Sequence, residues 1–209
     1  MKTLLKTAII TLGIASSSAF ATTFTFTPNP SDLGDLDHHT ATTWGIVWNA
    51  IPAGHSITSA TLKINNLWDW QVEQDFLYIH LLDDPIMGVN SWTDNNNDTL
   101  NGDYFNNQGV HLTTWTDPNG GNNGANSVNY VYNFTPSQLQ TLASYITDSN
   151  AWYDGDFGFG IDADCHYYNT GVTFEITTGP ATVADGGSTF ALLGFAVAGV
   201  LGLRRRLAA

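Results

Sequence analysis

The chain has 209 residues, with 19 acidic side chains against six lysines and arginines and a formal net charge of −13. Five of those six bases lie at the two ends (Lys2, Lys6, Arg204, Arg205 and Arg206), which leaves Lys63 alone among eighteen carboxylates between residues 22 and 182. A field of that sign excludes nucleic acid and anionic lipid as partners of the central region and attracts cations, while seven tryptophans, eight tyrosines and eleven phenylalanines exclude disorder.

In chain order, the first element reads as an export signal. Lys2 and Lys6 precede an apolar stretch over residues 8–15, and three serines lead to Ala19-Phe20-Ala21, a small-residue site for signal peptidase. Cleavage is expected after Ala21. The mature domain is then expected over residues 22–182, with a C-terminal sorting signal over 183–209.

Within 22–182, short apolar-rich runs alternate with Gly, Asn, Asp and Pro punctuation. Strands are predicted over residues 23–26, 44–48, 57–64, 76–82, 128–134, 157–161 and 172–176. Residues 76–82 (FLYIHLL) are apolar almost throughout, as a strand buried on both faces requires. One helix interrupts the pattern: Thr135 N-caps it, Pro136 occupies its first turn and Gln138 closes a capping box. Leu139, Leu142 and Ile146 then share one helical face. About eight strands and one short helix predict an all-β fold, a jelly-roll-like antiparallel β-sandwich. Cys165 is the only cysteine, so no intrachain disulfide supports it.

Three groups combine carboxylates with imidazoles: Asp35, Asp37, His38 and His39; His80 with Asp83 and Asp84; and Asp162, Asp164 and His166. If the strand from residue 157 continues, its two-residue period puts Asp162, Asp164 and His166 on one face and turns Ala163 and Cys165 to the core. Such groups could hold zinc through imidazole and carboxylate, or calcium through carboxylate and carbonyl oxygens. Asp37, His38, His80, Asp162, Asp164 and His166 are therefore the candidate metal ligands. Asp94-Asn95-Asn96-Asn97-Asp98 begins like a calcium loop, but Thr99 stands at the sixth position and Phe105 at the twelfth, which excludes an EF-hand. Trp68, Trp70 and Trp92 are candidates for stacking on sugar rings; a strand through Trp68-Asp69-Trp70 would put both indoles on one face. No G-x-S-x-G elbow, H-E-x-x-H helix or phosphate loop occurs, and the acids around Cys165 disfavour its thiolate. A non-enzymatic role is expected.

The tail closes the chain. Residues 190–203 (FALLGFAVAGVLGL) carry no charged or strongly polar side chain and run directly into Arg204, Arg205 and Arg206. As a helix this run spans about 21 Å at roughly 1.5 Å per residue, short for a hydrocarbon core of roughly 30 Å unless preceding residues join it. The arginines stop translocation and stay cytoplasmic. Upstream lies Val183-Ala184-Asp185-Gly186-Gly187-Ser188-Thr189, a small, flexible segment open to a protease.

Motif, apolar run and basic cluster together resemble the tails recognised by exosortases, PEP-CTERM and especially its VPDSG-CTERM relative. Val183, Asp185, Gly186, Gly187 and the three arginines carry the likeness. The segment departs from the VPDSG form at Ala184, where proline stands in that form, and at Gly186, where serine stands. Asp32-Leu33-Gly34-Asp35-Leu36-Asp37-His38-His39, Leu77-Tyr78-Ile79-His80-Leu81-Leu82-Asp83 and Gly160-Ile161-Asp162-Ala163-Asp164-Cys165-His166 resemble blocks of an uncharacterised exported family of that type. The resemblance implies location: tethering to the inner membrane of a diderm bacterium, processing by an exosortase-type enzyme, and delivery to the cell surface or extracellular matrix, alongside exopolysaccharide. The expected role is a non-catalytic surface or matrix component whose sandwich binds metal (calcium or zinc) and polysaccharide. A secreted metal-dependent hydrolase and a purely structural surface-layer component are the alternatives.

Overall fold

The computed structural model describes residues 20–48, 51–71, 75–94, 102–117, 124–148 and 155–181. Residues 1–19 of the export signal expected over 1–21, the Asn-rich run from Asn95 and the sorting tail with Val183, Asp185, Gly186, Gly187, Arg204, Arg205 and Arg206 lie outside these described residues. Among the described residues no helix is long and apolar enough to cross a membrane.

Among the described residues ten strands and one α-helix follow one another: β1 (Thr22–Phe26), β2 (Thr40–Ile46), β3 (His55–Asp69), β4 (Leu77–Asp83), β5 (Gly88–Thr93), β6 (Val110–Trp115), β7 (Val128–Asn133), α1 (Pro136–Thr147), β8 (Phe157–Ala163), β9 (Tyr167–Tyr168) and β10 (Gly171–Pro180). They form two antiparallel sheets. The first runs β1-β10-β3-β7, with β9 added on β3, and the second runs β5-β2-β8-β4-β6. Consecutive strands from β1 to β4 alternate between the sheets, as do the last three long ones, which is the connectivity of a jelly roll with β5 as an extra edge strand.

The inward side chains of both sheets meet in one core. Phe174 on β10 touches Phe157 and Phe159 on β8, with ring centroids 5.8 and 4.9 Å away, and Leu62, Ile64, Leu77, Ile79 and Ile161 fill the space around them at under 2% exposure. Alternation along β7 places Tyr130 and Tyr132 inward, and their hydroxyls reach across the open side to Thr113 and to the Leu112 carbonyl of β6. The helix forms as its signals require: Gln138 N–H donates to Thr135 Oγ1, the Gln138 side chain accepts from Thr135 N–H, and Leu142 and Ile146 enter the core.

The outer face of the second sheet is also buried. On β8 the inward residues are Phe157, Phe159, Ile161 and Ala163, whereas Gly158, Gly160 and Asp162 point outward, yet every residue of the strand is buried. The covering layer is the segment 102–109. Phe105 lies flat on Gly160, where an added Cβ would fall 2.8 Å from the ring, and it packs with Ala41, Leu82 and Tyr104. β4 is accordingly buried on both sides, the near-continuous apolar run having this cause.

Three sequence expectations are corrected. The strand predicted over 44–48 starts four residues earlier and ends at Ile46, because β2 lies between β5 and β8 and Thr42 and Thr43 are buried on its two faces. Strands β5, β6 and β9 were not foreseen: each is short and polar, and each is held by ladder partners distant in sequence. β3 continues past Ile64 to Asp69 through an irregularity at Asn66, whose φ is 48°.

Because Phe174 sits at the centre of contact between the sheets, Phe174→Ala is expected to lower unfolding free energy by about 3–5 kcal/mol in urea titrations. Val131→Ala, at an exposed position on β7, is expected to change it by less than about 0.5 kcal/mol.

Candidate functional site

Where β8 ends, the chain bends through Asp164 and Cys165 and passes its side chains in two directions. The two-residue period holds as far as Asp164. Asp162 pairs with Tyr78 and Ala41 across the ladders, and Asp164 N–H still bonds the Phe76 carbonyl, so both carboxylates lie on the outer side of the second sheet. Ala163 and Cys165 turn inward and are 2% exposed.

His166 does not join that face. The bend carries it instead to the segment before β2, where Nε2 lies 2.6 Å from Asp35 Oδ1 and Nδ1 lies 3.7 Å from Asp37 Oδ1. His38 approaches the same Asp37 oxygen with Nδ1 at 2.8 Å. That oxygen is buried and neither approach is aligned as a hydrogen bond. Asp35, Asp37 and His166 each offer a ligand atom within 4.8 Å of the others, so this trio could hold a metal ion. Two backbone bonds fix the approach: Tyr167 N–H to the Leu36 carbonyl, and Trp70 N–H to the His166 carbonyl. Buried Leu33 and Leu36 anchor the segment between them.

Aromatic rings surround this cluster. Tyr168 is stacked between His166 (centroids 4.8 Å apart, planes at 24°) and Trp68 (4.5 Å, 22°). Beside them a cavity of about 220 Å³ is lined by His38, Trp70, Gln71, Cys165, His166 and Tyr168. Trp68 and Trp70 are thus separated in role: the strand ends at Asp69, Trp68 stacks on β9, and Trp70 stands 53% exposed at the cavity mouth. Trp92 is remote in register, on the edge strand β5. Its indole N–H donates to Thr43 Oγ1, and with Tyr104, Asp83 and Asp84 it lines a second cavity of about 320 Å³.

His80 stands apart from the cluster of Asp35, Asp37 and His166, its ring 5.0 Å from that of His111 across the β4–β6 ladder. It is 2% exposed, with Nδ1 3.1 Å from the Gln108 carbonyl and Nε2 2.9 Å from Asp103 Oδ2. The expected group with Asp83 and Asp84 is not assembled, because successive residues of β4 point to opposite faces and Asp83 is exposed at the strand end. Asp103 was invisible in the sequence, a lone acid in an Asn- and Gly-rich stretch. Asp35 carried a signal in its D-L-D-H-H block.

The outward face of β8 gathers acids rather than bases. Asp162, 1% exposed, accepts the Tyr104 N–H on Oδ2 at 2.8 Å, while its Oδ1 is buried and accepts nothing. Burial pushes Asp162 up to about 7 against the favourable Tyr104 hydrogen bond, with Asp94, Asp103 and Asp164 adding to the rise. Burial likewise takes Asp164 to about 6, with Asp75, Asp94 and Asp103 contributing and a hydrogen bond from Tyr78 opposing. Tyr78 is pushed up to about 12 by burial and by Asp164, Asp103 and Asp162. Asp94, also buried, belongs to the same acidic neighbourhood but was not singled out by spacing alone. Cys165 is pushed up to about 11, first by burial, so it is no nucleophile at neutral pH.

Fold and site together define a small antiparallel β-sandwich that carries an acid–imidazole cluster at one rim and a buried acidic patch on one sheet. The segment beyond it places the molecule: residues 183–207 match the VPDSG-CTERM motif, a sorting signal of the PEP-CTERM type. No curated protein matches the chain. The motif supports an exported protein, handled at the membrane by an exosortase-type enzyme and bound for the cell surface.

Two outcomes follow from the titrating groups. Asp162 and Asp164 favour their neutral forms in the fold, so the stability they confer is complete below their ordinary value of 3.8 and is lost as pH rises through about 6 to 7. Chelator-treated protein is therefore expected to melt at a higher temperature at pH 5 than at pH 8, with a smaller difference in Asp162→Asn. Cys165 is expected to resist iodoacetamide at pH 8 in the native protein and to react within minutes in guanidinium.

Proposed function

We propose that the sandwich is a non-catalytic surface or matrix component that binds a transition cation, zinc in the first place, at Asp35, Asp37 and His166, and binds polysaccharide on the aromatic surface beside it. The convergence of three ligand atoms within 4.8 Å carries this reading. Two carboxylates and an imidazole are a donor set that zinc accepts, with His38 adjacent as a fourth donor. The stacking of Tyr168 on His166 holds the imidazole plane, as neighbours of a ligating histidine do.

The polysaccharide part rests on exposure and shape. Trp70 and Tyr168, 53% and 37% exposed, border the cavity of about 220 Å³, and sugar rings present apolar faces that pack on such side chains. On this reading the C-terminal signal delivers the domain to the outer surface or matrix of a diderm bacterium, with exopolysaccharide as its partner there. The tail tethers the chain to the inner membrane before processing.

Zinc titrated calorimetrically into chelator-treated full-length protein in detergent is expected to bind with one site per chain. His166→Ala and Asp37→Asn are expected to weaken binding at least tenfold, while Trp70→Ala leaves it unchanged. Affinity electrophoresis through bacterial exopolysaccharide is expected to show retardation that Trp70→Ala reduces. Zinc heats identical in wild type and His166→Ala would remove the metal site; unretarded wild type would remove the polysaccharide.

A further inference from the structure

The cavity of about 320 Å³ beside Trp92 lies on the outer face of the second sheet, away from the rim cluster. Its walls are two loops: the turn 84–87 between β4 and β5, and the covering segment 104–109. Both press onto the sheet where side chains are missing. An added Cβ would collide with the Ile86 carbonyl at Gly45 and with the Leu81 carbonyl at Gly109. Each loop is also held by side chains: Asn90 Nδ2 reaches the carbonyls of Ile86, Met87 and Gly88, and Gln108 donates to the Tyr104 carbonyl while its backbone carbonyl meets His80 Nδ1. The cavity is therefore formed before any ligand arrives, at the small end of the roughly 300–1,000 Å³ of ligand pockets.

The lining sorts ligands by chemistry. Trp92 offers an aromatic face: it is 38% exposed, and its indole N–H is already given to Thr43 Oγ1 at 3.2 Å, which fixes the ring. Tyr104 and Phe105, with ring centroids 5.0 Å apart, continue the aromatic wall. Asp83 and Asp84 supply two carboxylates, and among the described residues the lining has no lysine, arginine or histidine. That balance excludes an anionic ligand. The two acids converge with no third metal-competent side chain among the described residues, so an inorganic ion is not the cation they select. An organic ammonium fits: it makes charge-assisted hydrogen bonds to carboxylates and is attracted to the face of an indole. Partial burial, then the charges of Asp148 and Asp84, raises Asp83 above its ordinary 3.8, a cost that a neighbouring ammonium would relieve.

We propose that this cavity binds a sugar unit bearing a protonated amine, a hexosamine without its acetyl group, with the ammonium toward Asp83 and Asp84 and the ring against Trp92. The flat indole matches the apolar face of a pyranose, which a flexible alkylamine does not present. Hydroxyls of the same ring find acceptors in the carboxylates. The site is separate from Asp35, Asp37, His166 and Trp70, and it depends on neither the metal nor the sugar surface proposed there.

The test is calorimetry on full-length protein in detergent at pH 6, in physiological salt that screens diffuse attraction to an acidic protein. The ligands are a glucosamine hexasaccharide, its N-acetylated counterpart and spermine. The glucosamine chain is expected to bind at least tenfold more tightly than the acetylated chain, and at least fivefold more tightly than spermine, which carries charge without a ring. Trp92→Ala and Asp83→Asn are each expected to weaken glucosamine binding at least fivefold, Trp92→Phe to keep it within threefold, and Trp70→Ala to leave it unchanged. Should Trp92→Ala melt poorly, Asp83→Asn at the exposed strand end carries the test. An acetylated chain or spermine that binds as tightly as the glucosamine chain, or glucosamine binding indifferent to Asp83→Asn, would overturn the proposal.

Discussion

Every residue of β8 is buried: Phe157, Phe159, Ile161 and Ala163 against the first sheet, Gly158 against Pro85, and Gly160 and Asp162 under the segment 102–109. A strand in the middle of a sandwich normally shows water one of its faces. Here the outward face is closed by Phe105, which lies on Gly160 because that position has no side chain. Closing it removes Asp162 from solvent. The apolar layering that steadies the second sheet is therefore the same event that desolvates a carboxylate in its centre.

The charges of the domain are divided by this event. At the rim, imidazoles and carboxylates meet in partly exposed pairs: His38 and His166 at Asp37, and His166 at Asp35. On the opposite sheet Lys63 and Glu175 pair near the surface, where such an ion pair contributes little. On the outward face of β8 Asp162 and Asp164 lie among Asp94 and Asp103, with the Tyr104 N–H, Tyr78 and His80 as polar neighbours. A domain without disulfides relies on its packing.

The turn after β8 links the two places. Asp162, Asp164 and His166 are spaced as one strand face would be, but the strand ends at Ala163 and the bend at Asp164 and Cys165 rotates His166 away. One short block of sequence thus supplies two separate constellations. Its partners come from segments more than a hundred residues earlier for the rim, and about sixty for the sheet.

Much of this was readable in the chain itself. Period-two alternation in residues 128–134 and 157–161, the capping box at Thr135 and Gln138, and the unbroken apolar run of β4 determine local structure through side-chain direction and backbone satisfaction, which act within a few residues. The tripartite tail is equally local, a motif, an apolar run and a basic cluster within one stretch of sequence. What the tertiary structure alone decided is which ligands meet. His80 pairs with Asp103 rather than Asp83, and His166 with Asp35 rather than Asp162, because strand register and one bend set those distances. The polar edge strands β5 and β6 likewise exist through ladders to β2 and β4. Local propensity is a property of neighbours in sequence; convergence of charged groups is a property of how the two sheets are paired and covered.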